Sequence, residues 1–169
     1  EVFEKLKAYN QRKINESGID TLVSSCAECF RTFARDYELE DVKVMHTTEF
    51  LIEQGFDMNL KSEETTVTYH DPCRLGRQMG IYDEPRGEDA MCCGVSSMMS
   101  CNENARSLRV TRMEEVRATG ADTMLTSCPK CVSHFECLKF EGDEAYEDIE
   151  ILDVVSFLAR QVNEKKAQV

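Results

Sequence analysis

Apolar and polar positions in this chain alternate between two periods. At the start Val2, Phe3, Leu6 and Tyr9 recur at helical spacing among charged residues. The run should end near Gly18, because glycine accepts the left-handed backbone of a helix terminus. A short apolar stretch over 21–25 predicts a buried strand, and over 29–37 the helical period returns with Phe30, Phe33 and Tyr37 on one face. Val42, Val44 and Met45 predict a second strand, and Phe50, Leu51 and Ile52 a third helix. Further on, 65–69 alternates as a strand that ends in a turn at His70-Asp71-Pro72-Cys73. The series then runs again: helix over 104–119, strand over 123–127, helix over 131–138, strand over 149–151 and a closing helix over 154–162.

The second series repeats the first in its letters as well as its period. Gly18-Ile19-Asp20-Thr21-Leu22-Val23-Ser24-Ser25-Cys26-Ala27-Glu28-Cys29 reads against Gly120-Ala121-Asp122-Thr123-Met124-Leu125-Thr126-Ser127-Cys128-Pro129-Lys130-Cys131 at a constant offset of 102 residues. An acidic loop over 141–148 widens the offset to 107, so that Phe50-Leu51 meets Phe157-Leu158. Cys73 and Cys92-Cys93-Gly94 precede the second copy and have no counterpart before the first. The organisation expected is therefore the back half of a first repeat over 1–60, its front half missing, and a complete second repeat over 61–169. On this reading the chain is the C-terminal portion of a longer polypeptide or one product of a split gene. Strand and helix in regular succession predict an α/β fold: two repeated strand-helix units, parallel sheets covered by helices, and cysteines at the strand carboxyl ends. Cys26, Cys73 and Cys128 each follow a predicted strand, where outward backbone N–H groups and a helix N-terminus favour thiolate.

Composition narrows the chemistry. A net charge of −12 and a pI near 4.7 argue against nucleic acid or an anionic membrane surface as a direct partner, since both want a basic face. No apolar run reaches the 18 residues of a membrane span, and the charged amphipathic start is not a signal peptide, so a cytoplasmic protein is expected. Nine cysteines are an odd number for a closed disulfide framework, and a reducing compartment fits them better. At CxxC spacing two sulfurs share one turn and reach one metal or two neighbouring irons, although a single CxxC equally suits a redox pair or half of a zinc site. Two such pairs with a Cys-Cys-Gly between them are more specific. Adjacent cysteines point apart, so an extended multi-iron group uses Cys92 and Cys93 better than one tetrahedral zinc ion does. Gly94 then lets the backbone come close.

These elements resemble a known family. Thr68-Tyr69-His70-Asp71-Pro72-Cys73-Arg74-Leu75-Gly76-Arg77, then Tyr82-Asp83-Glu84-Pro85-Arg86, Cys92-Cys93-Gly94 and Ser127-Cys128-Pro129-Lys130-Cys131 are similar to the cysteine-rich CCG domain of heterodisulfide reductase. Iron-sulfur subunits of anaerobic glycerol-3-phosphate dehydrogenase and of lactate utilisation share that domain. The resemblance implies that Cys73, Cys92, Cys93, Cys128 and Cys131 hold a non-cubane [4Fe-4S] cluster, with Cys26 and Cys29 as part of a second set. Two features depart from the family pattern. Cys73 and Cys92 are separated by 18 residues, fewer than usual, and Val95-Ser96-Ser97-Met98-Met99 stands where many members have a glycine-rich run.

The remaining candidates carry weaker signals. Cys101 and Cys137 read as small buried hydrophobes before they read as extra ligands. His70 reads as a neighbour of the Asp71-Pro72 turn and His134 as a helix residue on a partly buried face, while His46 carries no signal; none is assigned as catalytic. Arg74, Arg77 and Arg86 form a basic patch that either offsets the charge of a cluster or anionic substrate, or pairs with Asp83, Glu84 and Glu88. The function expected is an iron-sulfur oxidoreductase subunit of the heterodisulfide reductase type, active in a complex with an electron-donating subunit and a small disulfide or quinone acceptor. Attachment to a membrane would come through partner subunits. The alternatives are a pure electron-transfer subunit serving a quinone-linked or flavin partner, and a structural zinc domain. No Gly-x-Gly-x-x-Gly follows any strand, so no nicotinamide or flavin site is expected.

Overall fold

A computed structural model describes residues 1–55, 65–81, 91–95, 102–142 and 144–166. The motif residues Tyr82 to Arg86, with Glu88, Ser96 to Met99 and Cys101, lie outside the described residues. The chain divides into two compact units, Glu1–Phe56 and Asp57–Val169.

The first unit runs α1 (Val2–Ser17), β1 (Thr21–Ser24), α2 (Ala27–Arg35), β2 (Lys43–His46) and α3 (Thr47–Glu53). Gly18 ends α1 in the left-handed region, φ 67°, and its N–H returns to the Asn15 carbonyl. β1 and β2 pair in parallel, from Thr21 with Lys43 to Ser24 with His46. The His46 ring accepts from the Thr48 N–H while the Glu49 carboxylate accepts from the His46 N–H, a reciprocal cap that turns the chain directly from strand into α3. Ala27, Phe30, Met45 and His46 are buried in this unit, and α1 buries no residue.

The second unit holds β3 (Val67–His70), α4 (Gly76–Met79), α5 (Glu103–Ala118), β4 (Thr123–Thr126), α6 (Pro129–Phe140), a 3₁₀ turn (Glu144–Tyr146), β5 (Glu150–Asp153) and α7 (Val154–Lys166). Its sheet is parallel throughout in the order β3-β4-β5, with Val67 opposite Thr123 and Thr123 opposite Glu150. β4 is the central strand, α6 and α7 both contact it, and all four of its residues are buried, as a parallel strand covered by helices requires. Met113, Val116, Met124, Phe135, Leu138 and Ile151 form the core around it.

The mixed α/β fold with parallel strands in two small helix-flanked sheets is the one the periodicity predicts. Most boundaries move by a residue or two, while the closing helix runs on to Lys166 rather than ending at 162. The helices after the two CxxC motifs begin at Ala27 and Pro129 rather than at the second cysteine, because Cys26 and Cys128 take the extended capping position. Pro129 then occupies the first helical position, where a missing N–H costs no hydrogen bond. The short α4 was not expected; it follows the Asp71-Pro72 turn, with the Leu75 and Gly76 N–H groups both returning to the Pro72 carbonyl.

Candidate metal centre

Each strand of the second unit that precedes a cysteine motif points its carboxyl end at one place. β3 ends in His70 and leads to Cys73, and β4 ends at Thr126, with Ser127 and Cys128 following. The Tyr69 hydroxyl donates to Ser127 Oγ at 2.8 Å, tying the two strand ends together. In α6 the first cysteine of the CxxC is the cap and the second the third helical residue, so both sulfurs sit on the opening turn, at the positive end of the helix dipole. The Cys92-Cys93-Gly94 segment lies against α5. Gly94 has φ 90°, and a Cβ there would stand 2.9 Å from the Ala105 carbonyl oxygen, so glycine serves both the backbone conformation and the close approach.

The result is a chain of five touching thiols. Cys92 lies within hydrogen-bonding reach of both Cys73 and Cys93, and Cys131 within reach of both Cys128 and Cys93. The Cys131 thiol approaches Cys93 Sγ at 3.4 Å, and the Gly94 N–H donates to Cys92 Sγ at 3.3 Å. Cys93, Cys128 and Cys131 are buried, and Cys73 and Cys92 are half-buried. A position after a strand and before a helix should favour thiolate at Cys73, as its place in the sequence led us to expect, but crowding reverses that. The hydrogen bond to Cys92, then burial, raise Cys73. The bonds to Cys128 and Cys93, then burial, raise Cys131. For Cys93 the Cys131 hydrogen bond pulls downward, but the Cys92 thiol and burial outweigh it and push the group up to about 12. Crowded thiols, with Cys73, Cys93 and Cys131 held in the protonated form, are a poor resting arrangement for sulfur and a ready one for a metal group that displaces the protons. An all-sulfur donor set of this size fits an iron-sulfur cluster.

His70 belongs to this site, against the expectation that it only forms a turn. It is 1% exposed, and one of its ring nitrogens lies with Cys93 Sγ and Cys131 Sγ in a group within 4.8 Å of one another. Its ring stands edge-on to Phe135 at 4.9 Å. Burial, then the Arg112 charge, lower it to about 3, so the ring is neutral. Arg112 and Arg109 were also missed. Both are buried on α5, at helical spacing with Ala105, Met113 and Val116. A search for apolar periodicity passes over arginine, although the spacing itself was readable. Arg112 donates to His70 Nδ1, to the Tyr69 carbonyl and to Glu115; Arg109 reaches Glu141 at 2.8 Å. His134 is fully buried rather than partly so, and burial, then Arg109, lower its pKa.

The other candidates lie apart from the five thiols. Cys26 and Cys29 repeat the α6 arrangement at the start of α2 in the first unit, Cys26 half-buried and Cys29 exposed. Among the described residues they join no group of three metal-ligating side chains. Cys137 is half-buried rather than buried, and its thiol donates to the Ser133 carbonyl. Arg77 carries its charge toward Cys73 and His70, while Arg74 bonds Gln78; Arg86, the third residue of the expected patch, lies outside the described residues. Among the described residues no helix is long and apolar enough to cross a membrane.

The chain is similar to known iron-sulfur proteins. The CCG cysteine-rich domain profile matches residues 84–136, which include Cys92, Cys93, Cys128 and Cys131. An uncharacterized iron-sulfur protein of Methanococcus maripaludis is 31% identical over 183 residues, covering 96% of this chain and 36% of the relative. A subunit of the fumarate reductase (CoM/CoB) of Methanothermobacter marburgensis is 30% identical over 177 residues, 94% of this chain and 35% of its own length. A subunit of the dihydromethanophenazine:CoB–CoM heterodisulfide reductase of Methanosarcina acetivorans is 30% identical over 187 residues, 95% of this chain and 45% of its own length. The chain thus spans between about a third and a half of the length of these relatives. Convergent thiols, the matched motif and similarity along nearly the whole chain lead to one assignment: residues 84–136 carry a CCG cysteine-rich domain, in a chain similar to iron-sulfur proteins and to a heterodisulfide reductase subunit.

Proposed function

We propose that this chain is part of an iron-sulfur oxidoreductase subunit of the heterodisulfide reductase type, with Cys73, Cys92, Cys93, Cys128 and Cys131 holding a multi-iron cluster, a non-cubane [4Fe-4S] centre by resemblance. The observation that carries the reading is the meeting of all five thiols of the motif at the strand ends of one sheet. When bound, such a centre stores and releases single electrons at a potential set by its ligands, hydrogen bonds and solvent access. The protein's own part is to hold five sulfurs in place, to exclude water around Cys93, Cys128 and Cys131, and to surround them with the buried side chains of His70 and Arg112. Electrons come from a partner subunit, since the chain has no nucleotide-binding glycine motif after a strand. The acceptor is a small disulfide or a quinone-type molecule. The helix and strand order of the first unit returns from α5 onward in the second, after β3 and α4, which supports reading 1–60 as the back half of a first CCG-type repeat and 61–169 as a complete second one.

A structural zinc ion is the second reading, favoured by the mutual approach of His70, Cys93 and Cys131 ligand atoms. Anaerobic reconstitution followed by iron, zinc and acid-labile sulfide analysis and electron paramagnetic resonance separates the two. Iron and sulfide near four per chain support the cluster. Stoichiometric zinc without iron after anaerobic purification would sink it. With a cluster in place and a low-potential donor supplied, disulfide turnover that disappears in Cys93→Ser supports the reductase role, and quinone reduction without disulfide turnover supports pure electron transfer.

A further inference from the structure

We infer that His70 serves the cysteine site as an N–H donor to sulfur, locked in one tautomer by Arg112, and not as a metal ligand. The inference rests on the reading that the five thiols hold a cluster. It begins with the arginine. A guanidinium carries five N–H donors and no acceptor. Arg112 Nε lies 3.3 Å from His70 Nδ1, so Nδ1 must be the accepting nitrogen and carries no proton. Arg112 cannot easily turn away, because its other nitrogens donate to the Tyr69 carbonyl at 3.0 Å and to Glu115 at 2.8 Å, and its side chain is 3% exposed. A neutral imidazole with a bare Nδ1 has its proton on Nε2.

That proton has nowhere else to go. Nε2 is buried and has no hydrogen-bond partner. Nδ1 is occupied by Arg112, so Nε2 is the nitrogen left to face the sulfurs of Cys93 and Cys131. An orphaned buried donor costs about 1–3 kcal/mol, and it is tolerated where a ligand supplies the missing acceptor. Ligation of a metal through Nε2 would require both ring nitrogens to act as acceptors at once, an imidazolate facing a cation on one side and a metal on the other. Donation from Nε2–H to a cysteine or inorganic sulfur satisfies both nitrogens with a neutral ring. The edge-on packing on Phe135 fixes the plane in which the N–H points. Hydrogen bonds to sulfur favour the more negative, reduced form of a cluster, so His70 raises the reduction potential and Arg112 is its positioning residue.

Two measurements on the full chain test this. In the metal-free, reduced protein labelled with [15N]histidine, long-range proton-nitrogen correlation should find His70 neutral with the proton on Nε2. Arg112→Met should let the Nδ1–H form appear, and Arg112→Lys should restore the original signature in part. A wild-type Nδ1–H tautomer overturns the inference without any variant. In the reconstituted protein, His70→Gln, whose amide N–H stands near the position of Nε2, and His70→Leu should both keep wild-type iron content. The midpoint potential should fall in His70→Leu and stay near wild type in His70→Gln. Directly coordinated 15N coupling from His70 in the paramagnetic cluster, with iron lost in both variants, makes it a ligand and overturns the role alone. A wild-type chain that takes up no iron overturns the cluster reading and this role with it.

Discussion

The sulfurs of Cys93 and Cys131 lie 3.4 Å apart although 38 positions separate them in the chain. One comes from the Cys-Cys-Gly segment against α5, the other from the opening turn of α6. Their meeting joins the two halves of the motif in one buried site, and it gives each substitution there a definite expected consequence.

Cys93→Ser and Cys131→Ser should each lose most of the iron taken up on anaerobic reconstitution, because a buried serine is a poor substitute for a thiolate in a soft-donor site. Cys137→Ser should retain the wild-type content, its thiol being engaged with the Ser133 carbonyl on α6. Iron and sulfide per chain, with the visible absorption of the cluster, check both. Iron loss in Cys137→Ser equal to that in Cys93→Ser would move Cys137 into the ligand set.

Cys26 and Cys29 should be dispensable for that cluster. They sit in the first unit, and the double substitution Cys26→Ser, Cys29→Ser should leave iron per chain unchanged. In the metal-free protein an exposed Cys29 should react with a maleimide faster than the buried Cys128 and Cys131. Mass mapping of partly labelled protein reads the order directly. Labelling of Cys131 ahead of Cys29 would contradict the placement of these thiols.

Gly94→Ala should destabilise the second unit by about 2–3 kcal/mol, since a non-glycine residue is strained at φ 90° and its Cβ would press on the Ala105 backbone. The urea midpoint of the metal-free protein should fall, with little change in slope. Iron uptake should fall as well, because Cys92 and Cys93 are carried on the same segment. A variant as stable as the parent would show that α5 can yield at this contact.

The metal-free second unit should be most stable between about pH 6.5 and 9. On the acid side His70 is lowered from 6.5 to about 3 and His134 is lowered too, so the folded state binds fewer protons than the unfolded chain. Their contribution is complete above 6.5 and is lost as the pH falls below it. On the alkaline side Cys73, Cys93 and Cys131 are raised above 9.0, Cys93 to about 12, so the folded state holds protons that the unfolded chain releases. That contribution is complete below 9 and is lost as the pH rises through the folded values. Each proton in the difference contributes about 1.4 kcal/mol per pH unit to the slope. Urea titrations under reductant across the range would reveal it, and a flat profile from pH 4 to 11 would contradict the assignments.

Apart from the short α4 and the 3₁₀ turn, the order of elements, the parallel α/β class and the cysteine motif were legible in the sequence, because period, turn residues and ligand spacing are written within a dozen or so positions. From α5 onward the second unit repeats the order of the first, helix-strand-helix-strand-helix, as the letters predict. Burial was not legible. Thr21-Leu22-Val23-Ser24 and Thr123-Met124-Leu125-Thr126 are nearly the same phrase, yet β4 is buried at every position and β1 at none. β4 has a strand on each edge, whereas among the described residues β1 pairs with β2 alone. Arg109 and Arg112 show the same limit from the polar side. Nothing local marks an arginine as interior; that is decided when Glu141 and, for Arg112, Tyr69, His70 and Glu115 supply acceptors. The role of His70 likewise depends on an arginine 42 positions away, since the nitrogen that keeps its proton is set by which partner occupies the other.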